Sequence, residues 1–428
     1  MIRFAMLFLA ALMVAKAMAA DAVVSTYWGS PKYDELRAIV VLPNGMVAAG
    51  GLAEAAVTGE KNKKVEGGEG RITLCSAEGK RISDESCAVV PSDMACDAKG
   101  RLLVVGRGGI VCWDPTAKKN QWQAAAGGED ARVCAGPNGG AVVLASKRIT
   151  VFDAAGNVAS EFGAAGGYVN DVAFDPNTQA IIVVGFDNKR GTPPGQKRYP
   201  VQVAFVRAYD LQGQQRWRAY GWEGQEVADR HLMADTRAYR VALGDDGKLY
   251  VAGESAGGNT MWLRSSRNLD EKLPMPKFDA FQNAYNTAAN HITAVVRLDP
   301  KTGASEAATL LLARLENGKG NTIRPRAIAA DAQGNIFVGG SSAFSPPKTP
   351  GAFGREGGGA FLVVFDSQFR RTFATTLAGS ATVQAVAVRS GLLAAVGKVQ
   401  GNELATAKPV KSEGDDLGDG FLTILRVR

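Results

Sequence analysis

The segment from Arg326 to Gly379 carries the clearest copy of a unit that recurs along almost the whole chain. Two short apolar runs, 327–330 and 336–338, flank a turn, and two further runs, 360–365 and 371–377, follow a stretch rich in Pro and Gly. Short runs of β-branched and aromatic residues bounded by turn formers predict a meander of four strands. Such a sheet cannot bury both of its faces alone, so copies of it must stack side by side.

The rest of the sequence supplies these copies. The same pattern predicts seven first strands, each followed by a turn and a second strand, and seven third strands. The first strands are predicted to begin near Leu36, Asp93, Arg132, Val169, Tyr239, Arg326 and Val383. The third strands are predicted to begin near Arg71, Ile110, Ile149, Val203, Ala294, Phe361 and Phe421. Because the two counts agree, the pattern indicates one blade for each copy.

The two ends of the sequence predict how the blades close into a ring. No fourth strand follows the last third strand at 421–427, whereas residues 23–29 resemble the fourth strand at 372–379 and precede every first strand. Pairing the N-terminal strand with the last unit leaves few free sheet edges. The predicted fold is therefore all-β, a seven-bladed β-propeller of four-stranded antiparallel blades. We expect it to form a single domain over residues 21–428.

One face of the predicted ring carries the long connections. Turns from first to second strand and from third to fourth strand are short and lie on one face, and the other connections lie on the opposite face. Long loops presented by a rigid scaffold commonly carry function, so a site is expected on this insertion-bearing face. Its insertions are 52–69, 186–200, 257–291, 341–358 and 400–419.

Residues 1–20 have the pattern of a secretory signal peptide. Arg3 provides a positive start, the apolar stretch 4–15 is too short to span a bilayer, and small residues precede Asp21. An uncleaved N-terminal anchor is the alternative. We therefore expect a secreted or periplasmic protein whose mature chain has no membrane span. The formal net charge of +7 is mild and dispersed, so nucleic acid is not an expected partner.

All five cysteines lie within residues 75–134. An oxidising compartment permits disulfides, but the odd number leaves at least one thiol free, and neither a Cys-x-x-Cys pair nor a nearby His indicates zinc. Buried strand cysteines are expected, and one or two bridges are the alternative, with their pairing left open. The residues are Cys75, Cys87, Cys96, Cys112 and Cys134.

Several segments resemble the β-propeller repeat of secreted and cell-surface bacterial proteins. Residues 27–34 leading to 49–51, and residues 358–361 leading to Gly379, are similar to that repeat. Its pattern has an aromatic-x-Gly-Gly before a strand, Gly-Asn after the turn and a Gly-x-Ala-Phe strand. The resemblance is good in the first, sixth and seventh units and weak in the second and third. It implies a propeller outside the cytoplasm and no particular activity.

A weaker similarity is to pyrroloquinoline-quinone propeller enzymes. It rests on residues 299–303 and on residues 210–213 ahead of Trp217. The recurring tryptophan of those enzymes is absent from most of the predicted blades, and the WD-repeat signature is also missing. No cofactor is therefore expected.

Polar residues concentrate in the connections that enter, interrupt and leave the fifth predicted blade. Both histidines of the chain are here, and Arg and Asn side chains beside them can orient a polar or anionic ligand. The alternative is that Asn, Thr and Gly act only as capping and turning residues. The candidate ligand-binding residues are Asp235, Arg237, Asn259, Asn286, His291, Asn321, Arg324 and His231.

Two further patterns have structural explanations. Phe278, Phe281, Tyr285 and Ala288 follow the three-four spacing of an amphipathic helix, which would cover a core or face a partner. Residues 413–420 are rich in acids but lack the ligand spacing of an EF-hand, so no metal is expected there.

The sequence favours a noncatalytic binding scaffold over an enzyme. Asp229 lies close to His231, yet no nucleophile motif such as Gly-x-Ser-x-Gly accompanies them. We expect the insertion-bearing face to bind a protein, a glycan or a small polar ligand. The competing hypothesis is an extracytoplasmic hydrolase, lyase or quinoprotein-type dehydrogenase with His231 or His291 as the base at the channel mouth. A structural envelope protein without a discrete site is a third hypothesis.

Overall fold

The computed structural model describes residues 18, 20–59, 64–274, 291–315, 320–344, 346 and 348–428. Within these residues the chain forms seven antiparallel sheets of four or five strands, which are the blades of a ring. The first strand in the chain, β1 (Ala20–Trp28), belongs to the last blade. The predicted all-β, seven-bladed propeller is therefore confirmed.

Blades 1 to 3 follow in chain order. Blade 1 consists of β2 (Tyr33–Val41), β3 (Val47–Thr58), β4 (Lys64–Glu66), which pairs only with β3, β5 (Glu69–Cys75) and β6 (Arg81–Cys87). Blade 2 consists of β7 (Val90–Cys96), β8 (Leu102–Arg107), β9 (Gly109–Asp114) and β10 (Lys119–Ala124). Blade 3 consists of β11 (Arg132–Ala135), a 3₁₀ turn (Pro137–Gly139), β12 (Ala141–Ala145), β13 (Arg148–Phe152) and β14 (Val158–Gly163).

Blades 4 and 5 are joined by the short helix α1 (Gly224–Asp229). Blade 4 consists of β15 (Tyr168–Asp175), β16 (Ala180–Gly191), β17 (Tyr199–Tyr209) and β18 (Gln215–Tyr220). Blade 5 consists of β19 (Thr236–Leu243), β20 (Leu249–Ser255), a 3₁₀ turn (Met261–Leu263), β21 (Ile292–Leu298) and β22 (Ser305–Leu311). No helix in the described part of the chain is long and apolar enough to cross a membrane.

Blades 6 and 7 complete the ring. A two-stranded ribbon, β23 (Ala313–Arg314) and β24 (Gly320–Asn321), leads into them. Blade 6 consists of β25 (Ile323–Ala330), β26 (Ile336–Ser342), β27 (Gly359–Phe365) and β28 (Arg371–Ala378). Blade 7 consists of β29 (Ala381–Arg389), β30 (Leu392–Val399), β31 (Asp419–Val427) and the N-terminal β1.

The ring closes through β1, as predicted. This strand pairs antiparallel with β31, with Tyr27 opposite Phe421 and Ser25 opposite Thr423. The hydroxyl groups of Ser25 and Thr423 lie 2.9 Å apart in a buried hydrogen bond. On its other edge, Ser25 exchanges two backbone hydrogen bonds with Ala407 of the last insertion, at 2.8 and 3.0 Å. Both edges of β1 are therefore occupied at this point.

The core lies between neighbouring blades. Successive side chains of a strand point to opposite faces, so each blade contributes to two interfaces. In β27, Phe361 packs toward blade 5 and Leu362 packs toward blade 7, and both are fully buried. Burial of such a side chain contributes about 1.5–3 kcal/mol relative to leaving it exposed. This explains why the second and third strands read as continuous apolar runs.

Aspartates make the turns on the face opposite the insertions short. Asp331 Oδ1 accepts backbone hydrogen bonds of 2.9 Å from Gln333 and from Asn335, and Gly334 adopts a φ of 75°. This φ lies in the left-handed region, where glycine carries no steric cost. The same two-bond turn recurs at Asp366. At Asp366 the left-handed position is occupied by Phe369, with a φ of 60°, so the aspartate is the feature that the two turns share.

The insertions differ in how far strand pairing extends into them. Much of 186–200 continues the strands, because β16 and β17 stay paired as far as Gly191 opposite Tyr199. The segments 341–358 and 400–419 fold back onto outer strands through isolated bridges. The third insertion, 257–291, contains the 3₁₀ turn, and its residues 275–290 lie outside the described residues. The predicted helix of Phe278, Phe281, Tyr285 and Ala288 falls in that part.

All five cysteines are free thiols. Cys75 and Cys112 are fully buried in strands, in line with the expectation of buried strand cysteines, and the structure contains none of the bridges that were left open. Burial raises the pKa of Cys75, Cys96 and Cys112 to about 11. The thiolate is the reactive form, so these groups are poor nucleophiles near neutral pH.

Deletion of residues 23–29 should destabilise the whole ring. The deletion removes the buried side chains of Val24 and Tyr27 and exposes the edge of β31, so blade 7 loses its outer strand. We expect a lower midpoint in chemical denaturation monitored by tryptophan fluorescence. A chain that begins at Asp21 and retains residues 23–29 is the control. A truncated protein that unfolds together with this control would show that β1 is dispensable.

Candidate functional site

Bulges at the starts of the inner strands shape the mouth of the central channel. Register shifts interrupt the pairing near the start of β2, β7, β15, β19, β25 and β29. A bulge leaves one residue unpaired and redirects its side chain. From each of these six strands one unpaired residue lines the channel mouth on the insertion-bearing face: Arg37, Ser92, Asn170, Tyr239, Arg326 and Gln384.

A cavity of about 660 Å³ occupies this mouth. Its wall includes Arg132 of blade 3, Tyr168 of blade 4, Arg240 of blade 5 and Arg326 of blade 6. An adjoining cavity of about 240 Å³ shares Arg132 and Arg240 and continues toward Arg37 of blade 1. The mouth is therefore concave, polar and built from several blades.

Beside the mouth, a buried carboxylate collects side chains from three strands and one loop. Glu254, near the end of β20, is fully buried. His291 Nδ1 lies 2.6 Å from Glu254 Oε1, and Arg324 Nε lies 3.1 Å from Glu254 Oε2. The Tyr239 hydroxyl donates to Oε2 over 3.3 Å, and Arg237 forms an ion pair with Oε1. We call these five residues the Glu254 cluster.

The local fold explains how the cluster assembles. Arg237 and Glu254 are directly opposite each other in the β19–β20 pair, so their side chains share one face of blade 5. Arg324 reaches them from the first strand of blade 6. Burial and the charge of Glu254 raise the pKa of Tyr239, which keeps its hydroxyl group protonated as a donor. The cluster has two permanent cations around one carboxylate, so it is net positive.

The structure brings together four of the predicted site residues. Arg237, His291 and Arg324 contact Glu254, and Asp235 lies 3.5 Å from Arg237. A backbone N–H of Gln202 also donates to Asp235 over 2.8 Å.

The remaining predicted residues lie elsewhere. His231 is exposed on a turn with a φ of 55°, and Asn259 donates to its carbonyl oxygen over 3.0 Å. Asn321 Oδ1 accepts from the backbone of Thr322 over 2.7 Å. These three serve the local backbone, as the alternative reading of capping residues proposed. Asn286 lies outside the described residues.

Sequence reasoning missed Glu254, Tyr239, Arg132 and Arg240. Glu254 stands between Gly253 and Ser255 at the end of an apolar strand, and no other charged residue lies close to it in the sequence. The arginines did carry a signal, because they fall where the first strands were predicted to begin. Recognising that signal requires knowing that the starts of all first strands meet at one mouth.

Two aspartates lie below the arginines in the channel. Asp93 Oδ2 accepts from the backbone N–H of Val133 over 3.0 Å, and Asp171 Oδ2 accepts from that of Val241 over 2.9 Å. Each bond joins the first strands of two adjacent blades. Burial raises the pKa of Asp93 to about 6 and also raises the pKa of Asp171.

Two aspartates of the acidic segment 413–420 pair with a lysine that lies just before it. Lys411 Nζ lies 2.9 Å from Asp415 and 2.7 Å from Asp419, and these contacts raise the pKa of the lysine despite its burial. Among the described residues, no group of three or more His, Cys, Asp or Glu side chains has an arrangement that could hold a metal ion.

A second cavity, of about 180 Å³, lies at the seam between blades 7 and 1. Its polar groups bond to one another: Trp28 Nε1 donates to the Thr73 hydroxyl over 2.7 Å, and that hydroxyl donates to Asp84 over 2.7 Å. Arg81 completes the series with an ion pair to Asp84. Because these groups already satisfy each other, the channel mouth is the stronger candidate site.

Comparisons with known proteins support the fold without naming a family. No protein-family profile and no curated protein sequence matches the chain. Among solved structures, the WD40 β-propeller domain of Doa1 superimposes with a TM-score of 0.52 at 10% identity, covering 95% of this chain and 97% of that chain. At this identity the similarity shows the propeller fold alone. The sequence-level resemblance to secreted bacterial repeat proteins stays a prediction.

Replacement of Glu254 by Gln should destabilise the protein by about 3–5 kcal/mol, because it leaves two arginines beside a buried group without charge. Glu306→Gln is the matched control, since Glu306 also pairs with two cations, Lys248 and Arg297, but is partly exposed. We expect the control to cost about 1 kcal/mol or less. Equal losses for the two variants in urea denaturation would contradict the structural role of Glu254.

Asp93→Asn should change how stability depends on pH. The folded pKa of about 6 exceeds the ordinary value of 3.8, so the folded protein prefers the protonated form and loses stability as pH rises from about 4 to about 6. The groups facing Asp93 are Arg132, Cys134, Asp171 and Arg240. Relative to wild type, the variant should gain up to about 3 kcal/mol of unfolding free energy across this range.

Unfolding in urea at a series of pH values measures this effect. Asp153→Asn is the control, because the side chain and backbone of Asn157 lower the pKa of the exposed Asp153. Removal of the Asp153 carboxylate should change the dependence of the unfolding free energy on pH in the opposite direction. If the unfolding free energy of Asp93→Asn varied with pH in parallel with that of wild type, the buried carboxylate would not be titrating as described.

Proposed function

We propose that this protein is a noncatalytic, extracytoplasmic scaffold that binds a small polar ligand at the channel mouth of its insertion-bearing face. The observation that carries the proposal is the convergence of Arg132, Arg240 and Arg326 from three blades on one concave cavity, beside the Glu254 cluster. Guanidinium and hydroxyl groups held by rigid strands can fix the orientation of a polar ligand.

The dimensions favour a small ligand over a protein or a glycan chain. The cavity of about 660 Å³ lies within the range of about 300–1,000 Å³ found for small-molecule sites. At its edge, Tyr168 stacks on Phe186 with ring centroids 4.5 Å apart and remains 50% exposed. The exposed ring offers an apolar surface next to the arginines, which suits a ligand that has both a polar and an apolar part.

The proposed location outside the cytoplasm rests on the sequence. Residues 1–20 have the pattern of a secretory signal peptide, and the resemblance to secreted bacterial propeller repeats implies the same compartment. A binding protein in that compartment meets its ligand on the exposed insertion-bearing face.

One contact favours the competing enzyme hypothesis. The 2.6 Å contact between His291 Nδ1 and Glu254 leaves Nε2 as the ring nitrogen that a substrate would meet. A carboxylate that orients a histidine in this way is common where histidine acts as a base. His231 has no such partner among the described side chains, so His291 is the base that this hypothesis would use.

A ligand screen by thermal unfolding tests the proposed function. The mature protein is heated with neutral monosaccharides, amino acids and dicarboxylates, and at least one class should raise the melting temperature. A ligand at a concentration of 100 Kd stabilises the folded state by about 2.7 kcal/mol. Tyr168→Ala should weaken the effect, whereas Tyr199→Ala, at the tip of the β16–β17 hairpin, should leave it unchanged.

Three outcomes would contradict the proposal. No response to any class, or equal responses in the two tyrosine variants, would exclude a small-ligand site at the mouth. Turnover of a bound ligand that disappears in His291→Gln and persists in His231→Gln would replace the scaffold with an enzyme.

A further inference from the structure

We infer that the ligand presents an oxyanion, a carboxylate, sulfate or phosphate group, to Arg132, Arg240 and Arg326 inside the channel mouth. This inference rests on the proposed function, because it names the chemistry of the same site. These three residues are called the arginine triad below.

The triad lacks the carboxylate partners that some other arginines of low exposure have in this protein. Buried Arg207 lies 3.2 Å from Asp187, and Arg101 lies 2.6 Å from Asp97. Within the described part of the chain, no carboxylate oxygen lies within 4 Å of any member of the triad. Arg132 and Arg240 are nevertheless half-buried.

The nearest carboxylates in the channel are already engaged by the backbone. Asp93 accepts from the N–H groups of Met94 and Val133, both at 3.0 Å. Asp171 accepts in the same manner, from its own strand and from the first strand of blade 5. These aspartates join the first strands of adjacent blades, and neither forms an ion pair with a member of the triad.

Most guanidinium donors of the triad are not used by the protein. Arg132 donates to the Ser92 carbonyl over 3.4 Å, and Arg240 donates to the Tyr239 carbonyl over 2.8 Å. Arg326 contacts the face of the Tyr239 ring at 5.9 Å. Each guanidinium carries five N–H donors in a planar fork that matches the oxygens of a carboxylate or phosphate.

The arginines also repel one another. Burial and the neighbouring Arg132 lower the pKa of Arg240 to about 10, Asp171 and Asp93 offset this only in part, and Arg326 acts in the same direction as Arg132. An anion between these groups would relieve the repulsion, since attraction between opposite charges is strong where water is partly excluded.

Two carboxylates at the rim of the cavity leave its cationic side chains in excess. Glu129 and Asp130 are both exposed, and Glu129 faces Arg37 at 3.8 Å and Arg107 at 3.6 Å. Lys147 lies on the same rim. The larger cavity therefore has four cationic side chains against two carboxylates.

The cavity is larger than one inorganic anion needs. Its volume of about 660 Å³ leaves space for the body of a ligand beside the half-exposed Tyr168. The expected ligand is thus a small organic molecule with at least one oxyanion group. The arginine triad binds the anion and the aromatic edge contacts the remainder.

Isothermal titration of the mature protein with sodium sulfate and with sodium citrate, in dilute HEPES buffer, tests the inference. Arg240→Gln and Arg326→Gln should each weaken binding about 10-fold or more, because each variant removes a charge-assisted hydrogen bond to the anion. Arg218→Gln, which makes the same charge change on the outer strand of blade 4, should bind as wild type does. Added sodium chloride should weaken all binding.

Arg326 is exposed, so its variant should fold even if Arg240→Gln does not. Binding of both probes, or of only one, supports the inference, and a single active probe identifies the oxyanion as carboxylate or as sulfate-like. No binding of either probe, or equal binding by the Arg326 and Arg218 variants, would overturn it. If neutral ligands still stabilised the protein through Tyr168, the proposed function would stand without the anion.

Discussion

Burial of both faces of every sheet is the constraint on which the rest of this structure depends. A four-stranded blade with apolar side chains on both sides gains stability only between two other blades. In a linear stack, each of the two end blades would leave one apolar face exposed. The pairing of β1 with β31 avoids such ends by closing a ring. Residues at the N terminus therefore stabilise an interface formed by the C terminus.

Closure also creates the candidate site. Seven first strands converge on one axis, so residues far apart in the sequence, such as Arg132 and Arg326, face the same channel. The bulges near the starts of the first strands turn side chains such as Tyr239 toward the mouth. The insertions on the same face add Glu254-binding groups such as His291. The fold thus places a polar concavity where several blades meet.

Much of the fold could be predicted because its signals are local and repeated. Short turns rich in Asp, Asn and Gly and the apolar runs recur along the chain with variations, and the similarity of residues 23–29 to 372–379 indicated the closure. Arg237, His291 and Arg324 were found because polar residues in long connections are visible as such. Glu254 was not found, because a single acid at the end of an apolar strand looks like an edge residue until its burial is known.

The molecule contains arginines in two contrasting environments. In the Glu254 cluster, Arg237 and Arg324 share a buried carboxylate, which is the arrangement expected when a charge must be stabilised in the folded state. A short distance away, Arg132 and Arg240 lie half-buried and close enough to repel, while nearby Asp93 and Asp171 are held by backbone N–H groups. Stability alone would favour a neutralising partner here as well. Unfavourable charge arrangements of this kind are concentrated at functional sites, where the missing partner is a ligand. The contrast between the two environments, within one protein and on one face, supports the inference that a ligand supplies the negative charge at the channel mouth.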